Sequence, residues 1–305
     1  MKKIILIISI MTLLIPNVIY ALKTSDANTS IDINKEGSIN LNYLYNDYEL
    51  NDINVQIYHV ASITEDFIYQ SSKDFSSYPI KINSLSDDNE WKSLIETLNT
   101  YINIDGIKET YSCIIKDNNV KVSNLKPGLY LVNTEKVNKK NYSLVFDSAL
   151  INVPGLEKNG DWNYDVIVYP KVYEYTEKNE DVIYKVTKEW NDNEDNRPES
   201  IKIEIYHDGN FVDTQILSSS NNWTYEWKAN NNSNWNVIER NVPEGYNVLI
   251  SKEDNNFIIL NTEINYEEEN PKTLDDINLY LYLFYSSLIG LILLLVSLFI
   301  KKIIR

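Results

Sequence analysis

One cysteine and two histidines serve the whole of a 305-residue chain. Cys113 has no partner for an intramolecular disulfide. His59 and His207 lie far apart, which argues against a histidine-rich metal site or a histidine-based triad. Basic residues are scarce as well: 28 Lys and Arg stand against 44 Asp and Glu, a net charge of -16. So acidic a chain is a poor partner for nucleic acid and suits a soluble surface that resists self-association. No nucleophile–histidine pair, metal cluster or phosphate-binding loop stands out. Neither turnover catalysis nor a cofactor is therefore expected, although a site made of carboxylates alone stays open.

Charge is missing from two longer stretches, one near each end. At the start, Lys2 and Lys3 precede an apolar run from Ile4 to Ile15, then Pro16 and the small residue Ala21. That order predicts a secretory signal peptide over 1–21. The alternative is an uncleaved N-terminal membrane helix, but Thr12 and Pro16 interrupt a run already shorter than the roughly 20 apolar residues a span needs. Leu279 to Ile300 carries no charge and is long enough to span, and Lys301, Lys302 and Arg305 follow it. Basic tails stay on the cytoplasmic side. The two ends thus agree on one topology: an exported middle, a transmembrane helix over 279–300 and a cytoplasmic tail over 301–305.

The exported part, about 250 residues, has room for two domains. Strand signals dominate it. "GSINLNYLY" alternates Ile39, Leu41, Tyr43 and Tyr45 with polar residues, and "INVQIYHVASI" puts Ile53, Val55 and Ile57 on one face. Lys126-Pro127-Gly128 marks a turn between two strands. One segment, "DDNEWKSLIETLNTYI", has helical spacing, with Trp91, Leu94, Ile95, Leu98 and Ile102 on one face and Ser86, Asp87 and Asp88 as cap candidates. This predicts a first β-sandwich over 31–172 with a helical insertion. After the linker "YEYTEKNED", short strands spaced by turns predict a second, smaller sandwich over 182–264. His207-Asp208-Gly209-Asn210 reads as a hairpin there. The acidic stretch 265–278 reads as a tether. The fold class expected is all-β, with two tandem Ig-like β-sandwiches.

Period-two alternation in the second sandwich has an unusual consequence. Val186, Lys188 and Trp190 share one face of their strand; Trp235, Val237 and Glu239 share another; Phe257, Ile259 and Asn261 share a third. An amine, a carboxyl and a carboxamide are thereby aimed into an apolar interior, which is costly unless they satisfy one another. Snorkelling side chains, or strands one residue out of phase, would also account for the pattern.

"VTKEWNDNEDNRPESIKIEIYHDG", "NNWTYEW", "WNVIERNVPEGYNV" and "FIILNT" follow one another here. In that order they closely resemble the collagen-adhesin B-type (Cna-B) repeat of Gram-positive surface proteins and pilins. The resemblance implies an intramolecular isopeptide bond between Lys188 and Asn261, promoted by Glu239. It would be a single self-modification, not turnover.

The first sandwich, through "KEGSINLNY", "LKPGLYLV" and "WNYDVIVYPKV", resembles the N-terminal domain of sortase-assembled pilin subunits. Asn133 stands where the promoting glutamate would be, so no second isopeptide bond is expected. Lys171, after Tyr169-Pro170, matches the acceptor lysine for polymerisation; the other reading is a domain-ending strand with a proline-marked exit. Asn270, Pro271, Lys272, Thr273 and Leu274 resemble a cell-wall sorting signal, which implies sortase cleavage after Thr273. Asn270 and Leu274 depart from the usual Leu and Gly, which bears on the choice of sortase. The expected partners are sortase and either peptidoglycan or neighbouring subunits, at the surface of a Gram-positive cell, after a membrane-held precursor. The alternative is a monomeric wall-anchored adhesin whose helical insertion contacts a host or matrix ligand.

Overall fold

The computed structural model describes residues 30–264, apart from 47–48, 177–179, 194–196 and 232–233. The expected signal peptide over 1–21, the expected sorting signal at 270–274, the apolar run 279–300 and the basic tail lie outside the described residues. Among the described residues no helix is long and apolar enough to cross a membrane.

Among the described residues strands dominate, with one α-helix. The first region contains β1 (Gly37–Asn42), β2 (Asn54–Ile63), β3 (Tyr69–Ser71), α1 (Asp88–Asp105), β4 (Tyr111–Ile114), β5 (Asn119–Leu125) and β6 (Gly128–Thr134). It continues with β7 (Val137–Asn138), β8 (Ser143–Phe146), β9 (Ala149–Val153), β10 (Gly155–Leu156), β11 (Trp162–Asn163), β12 (Asp165–Val168) and β13 (Val172–Tyr175). The sheet β3-β2-β6-β9, with β4 added on β2, is its middle layer. One face of that layer sends Val55, Ile57, Tyr130 and Val132 against Ile39 and Leu41 of β1, Val120 and Val122 of β5, and Leu144 and Phe146 of β8. The other face sends Tyr58, Val60, Leu129 and Leu131 against Leu94, Leu98 and Ile102 of α1. The helix is thus a third layer, and β6 is apolar without interruption from Leu129 to Val132 because both of its faces are buried. At the start of β6, Gly128 has no room for a side chain: a Cβ there would sit 2.5 Å from the Ala61 carbonyl oxygen.

The expected alternation of Ile39, Leu41, Tyr43 and Tyr45 holds, with all four buried, although β1 ends at Asn42. The helix starts where the cap candidates place it. Asp87 accepts hydrogen bonds from the backbone N–H groups of Asn89 and Glu90, satisfying two of the helix's unpartnered donors. Asp87→Ala is expected to lower stability by about 1 kcal/mol; an unchanged midpoint in chemical denaturation would remove that role.

The second region contains β14 (Asp181–Asn191), β15 (Ser200–His207), β16 (Asn210–Ser218), β17 (Thr224–Asn230), β18 (Trp235–Ile238), β19 (Tyr246–Glu253) and β20 (Asn256–Glu263). The sheet β17-β14-β20-β19 faces the sheet β16-β15-β18 across a core of Tyr184, Val186, Ile203, Ile205, Val237, Val248, Phe257 and Ile259. The expected hairpin joins β15 to β16, with His207 paired to Asn210. Asp208 and Gly209 both have positive φ, at 49° and 75°, as a tight two-residue turn between twisted strands requires. Within this domain the first and last strands, β14 and β20, run parallel side by side.

The two sandwiches share an interface through α1. Its Leu94–Leu98–Ile102 stripe belongs to the first sandwich, while Tyr101 packs with Ile238 and Ile250 of the second. β19 is an edge strand, and an exposed edge carries unpaired backbone donors. Here Val248 N–H donates to the Pro79 carbonyl at 2.9 Å and Ile250 N–H donates to Thr97 Oγ1 at 2.7 Å. Arg240 donates two hydrogen bonds to the Asp105 carboxylate, at 2.9 and 3.0 Å. The helix carries acidic residues in its first turn and no basic residue in its last. Arg240 therefore supplies the cation that a helix C-terminus favours.

Candidate functional site

The three polar residues aimed inward by alternation are buried together. Lys188 is 3% exposed, Glu239 1% and Asn261 0%. Lys188 follows Tyr184 and Val186 on the inner face of β14, and Asn261 follows Phe257 and Ile259 on that of β20. The parallel register pairs Lys188 with Ile259 and Trp190 with Asn261. Lys188 and Asn261 are thus diagonal neighbours on one face, within the reach of long side chains. Glu239 comes from the opposite sheet, one residue past the end of β18, and its Oε2 lies 4.0 Å from Lys188 Nζ.

The Lys188 amine donates to the carbonyl oxygens of Glu189 (2.7 Å) and Ile259 (3.3 Å) and lies 3.9 Å from the centre of the Trp190 ring. Burial lowers its pKa to about 7, against the opposing pull of Glu239. Burial raises the Glu239 carboxyl to about 7, with Lys188 and Asn261 opposing. Both groups are therefore pushed toward their neutral forms. Neither Glu239 oxygen makes a well-formed hydrogen bond, nor does either polar atom of the Asn261 carboxamide, although the carboxamide lies near enough to weigh on the carboxyl. Each unsatisfied buried polar group costs about 1–3 kcal/mol, so four of them on two facing side chains is a concentration of polar atoms without partners. The arrangement brings an amine, a carboxyl and a carboxamide together in one apolar chamber, the groups that amide exchange requires.

The remaining sequence candidates lie elsewhere. Lys171 is exposed in the step from β12, in one sheet, to β13, in another; its carbonyl accepts from Asp147 N–H at 3.1 Å. Asn133 donates through Nδ2 to Asn99 Oδ1 of α1 at 2.7 Å. Asn270, Pro271, Lys272, Thr273 and Leu274 lie outside the described residues. Among the described residues no group of three or more His, Cys, Asp and Glu side chains could hold a metal ion.

Sequence reasoning missed Arg240, Asp105, Thr97 and Tyr101. Continuing the β18 alternation would have found the first: if Val237 and Glu239 face in, Ile238 and Arg240 face out, and both are covered by the helix region.

Residues 184–262 match the family described as Cna protein B-type domain. A collagen adhesin of Staphylococcus aureus is 38% identical over 87 residues, in a match that covers 25% of this chain and 7% of that protein. The chain thus spans a small part of that relative's length. Among solved structures, a single B repeat unit of the S. aureus collagen-binding surface protein aligns at 16% identity. That alignment covers 76% of this chain and 99% of the other, with a TM-score of 0.27. The full-length major pilin SpaD of Corynebacterium diphtheriae aligns at 14% identity over 78% of this chain and 66% of its own, with a TM-score of 0.29. Both TM-scores are low, and the sequence match over 184–262 is the informative one.

Proposed function

We propose that this protein is a structural subunit of a Gram-positive cell surface, pilin-like in build, whose second sandwich locks itself with an isopeptide bond between Lys188 and Asn261. The observation that carries this reading is the dry chamber shared by Lys188, Glu239 and Asn261. Neutral Lys188 attacks the Asn261 carboxamide carbon. Glu239, protonated, polarises the carboxamide oxygen and relays a proton to the leaving nitrogen. The new Nζ–Cγ bond replaces the Cγ–Nδ2 bond, and one ammonia departs. Positioning on two paired strands supplies much of the rate. The amide left behind offers Glu239 a donor and an acceptor, which answers the lack of partners described above.

The finer surface chemistry rests on the segments outside the described residues. Sortase cleaves after Thr273 and passes it to a wall amine or to Lys171 of a neighbouring subunit, after the 279–300 span has held the precursor at the membrane. The exposure of Lys171 supports its use as an acceptor. Mass spectrometry of wall-released protein tests both parts, because it reports the group joined to Thr273 and the loss of one ammonia from the chain. Covalent ladders on a denaturing gel that disappear in Lys171→Ala protein are the expected result for a polymerising subunit. A single band unaffected by that change would instead favour a monomeric adhesin.

A further inference from the structure

We infer that the first sandwich is part of the crosslinking machinery of the second: Asp105 and Arg240 are positioning residues that hold Glu239 against Lys188 and Asn261. This rests on the isopeptide reaction proposed above.

Glu239 has no rung of its own in the described sheets. The last pairing of β18 is Glu204 with Ile238, and the chain from Glu239 to Gly245 forms no strand. What fixes the carboxyl is therefore its two neighbours. On one side, Ile238 is fully buried and packs with Tyr101 of α1 and Ile250 of β19. On the other, Arg240 forks onto Asp105 at the last position of α1, and its Nη2 also donates to Tyr206 Oη at 3.3 Å. With both neighbours gripped from outside, alternation leaves Glu239 one direction, inward. Tyr101 is close enough to feel the Glu239 charge. The same helix region braces the strand beside the other reacting residue: Thr97 and Pro79 hold the backbone of Ile250 and Val248 on β19, and Val248 is the residue paired with Asn261 of β20. One surface of the first sandwich thus steadies the backing of both the acid and the acyl donor. A misplacement of about 1 Å at a reacting group can cost 100-fold in rate.

The test follows crosslinking in the full chain, newly made by cell-free synthesis, by intact mass against time. Fluorescence of the half-buried tryptophans of the second sandwich marks when folding is complete. Asp105→Asn leaves every residue of the second sandwich unchanged, and Arg240→Met removes the fork from the other side. Each is expected to slow ammonia loss at least tenfold after folding, with Arg240→Lys recovering much of the rate. Parent-like rates in Asp105→Asn, or slowing in Arg240→Met that Arg240→Lys does not relieve, would overturn the inference while leaving the isopeptide reaction standing. A parent chain that never loses ammonia overturns the reaction and the inference with it.

Discussion

Lys188→Ala protein is expected to keep the ammonia that the parent chain loses, and its second sandwich to melt about 20 °C lower. The proposed bond between Lys188 and Asn261 would close a loop of about 70 residues, and closing a loop of that size removes unfolded-state entropy worth about 4 kcal/mol. In a domain of this size each kcal/mol shifts Tm by about 4–8 °C. Truncating Lys188 also removes the amine 4.0 Å from Glu239. The carboxyl then stays protonated in the apolar core, since Lys188 is the main influence opposing its burial. Asn261→Ala separates the two effects: it forbids the bond but keeps the Lys188–Glu239 pair. Its intact mass is expected to show no loss and its Tm to fall by a similar amount. Identical mass deficits in parent and Lys188→Ala protein would refute the assignment outright.

Crosslinking of newly folded chain should have a bell-shaped dependence on pH, highest near neutrality. The Lys188 pKa is lowered to about 7 and that of Glu239 is raised to about 7. Below that range the amine gains a proton and has no lone pair with which to attack. Above it the carboxyl loses its proton and cannot polarise the carboxamide. The reactive arrangement, neutral amine beside neutral acid, exists only while the pair shares one proton. The two limbs therefore report apparent values that belong to the pair. On each limb the rate is expected to change about tenfold per pH unit. Charges around Lys188 act on the same limbs: Asp192 and Glu189 favour the charged amine and Arg197 disfavours it. Initial rates of ammonia loss from the pH-jumped chain provide the measurement. A rate that climbs steadily with pH, as for an ordinary surface amine, would exclude Glu239 as the acid.

The inward aim of Lys188, Glu239 and Asn261 was legible because each lies at period-two spacing from apolar residues that face the core. The weaker pattern in β20, with Ile258 and Leu260 between the inward residues, also has a physical cause. β20 is an inner strand of its sheet, and those two residues are half-buried on its other face. The helix was readable on the face that carries Leu94, Leu98 and Ile102, but not on the face that carries Thr97 and Tyr101. Hydroxylated side chains give no apolar signal, and the partner of Thr97, Ile250, lies 153 positions along the chain. The reading of α1 as a surface offered to a ligand missed this second face. The step of the chain at Tyr169-Pro170-Lys171 from one sheet into another was likewise hidden, because β12 and β13 are only four residues each. Pairing partners, unlike faces, are not written in a strand's own pattern.

The parallel pairing of β14 with β20 decides how the second sandwich meets tension. The chain enters at the start of one strand and leaves at the end of its neighbour, so a pull on the two ends slides the strands past each other. Every rung of the ladder then resists together, instead of peeling open in turn. With the proposed bond in place, force passes from Asp181 to Lys188, crosses to Asn261 and departs after Glu263. The stretch from 189 to 260 lies off that path, so a stretched filament of such subunits would gain no slack from this domain.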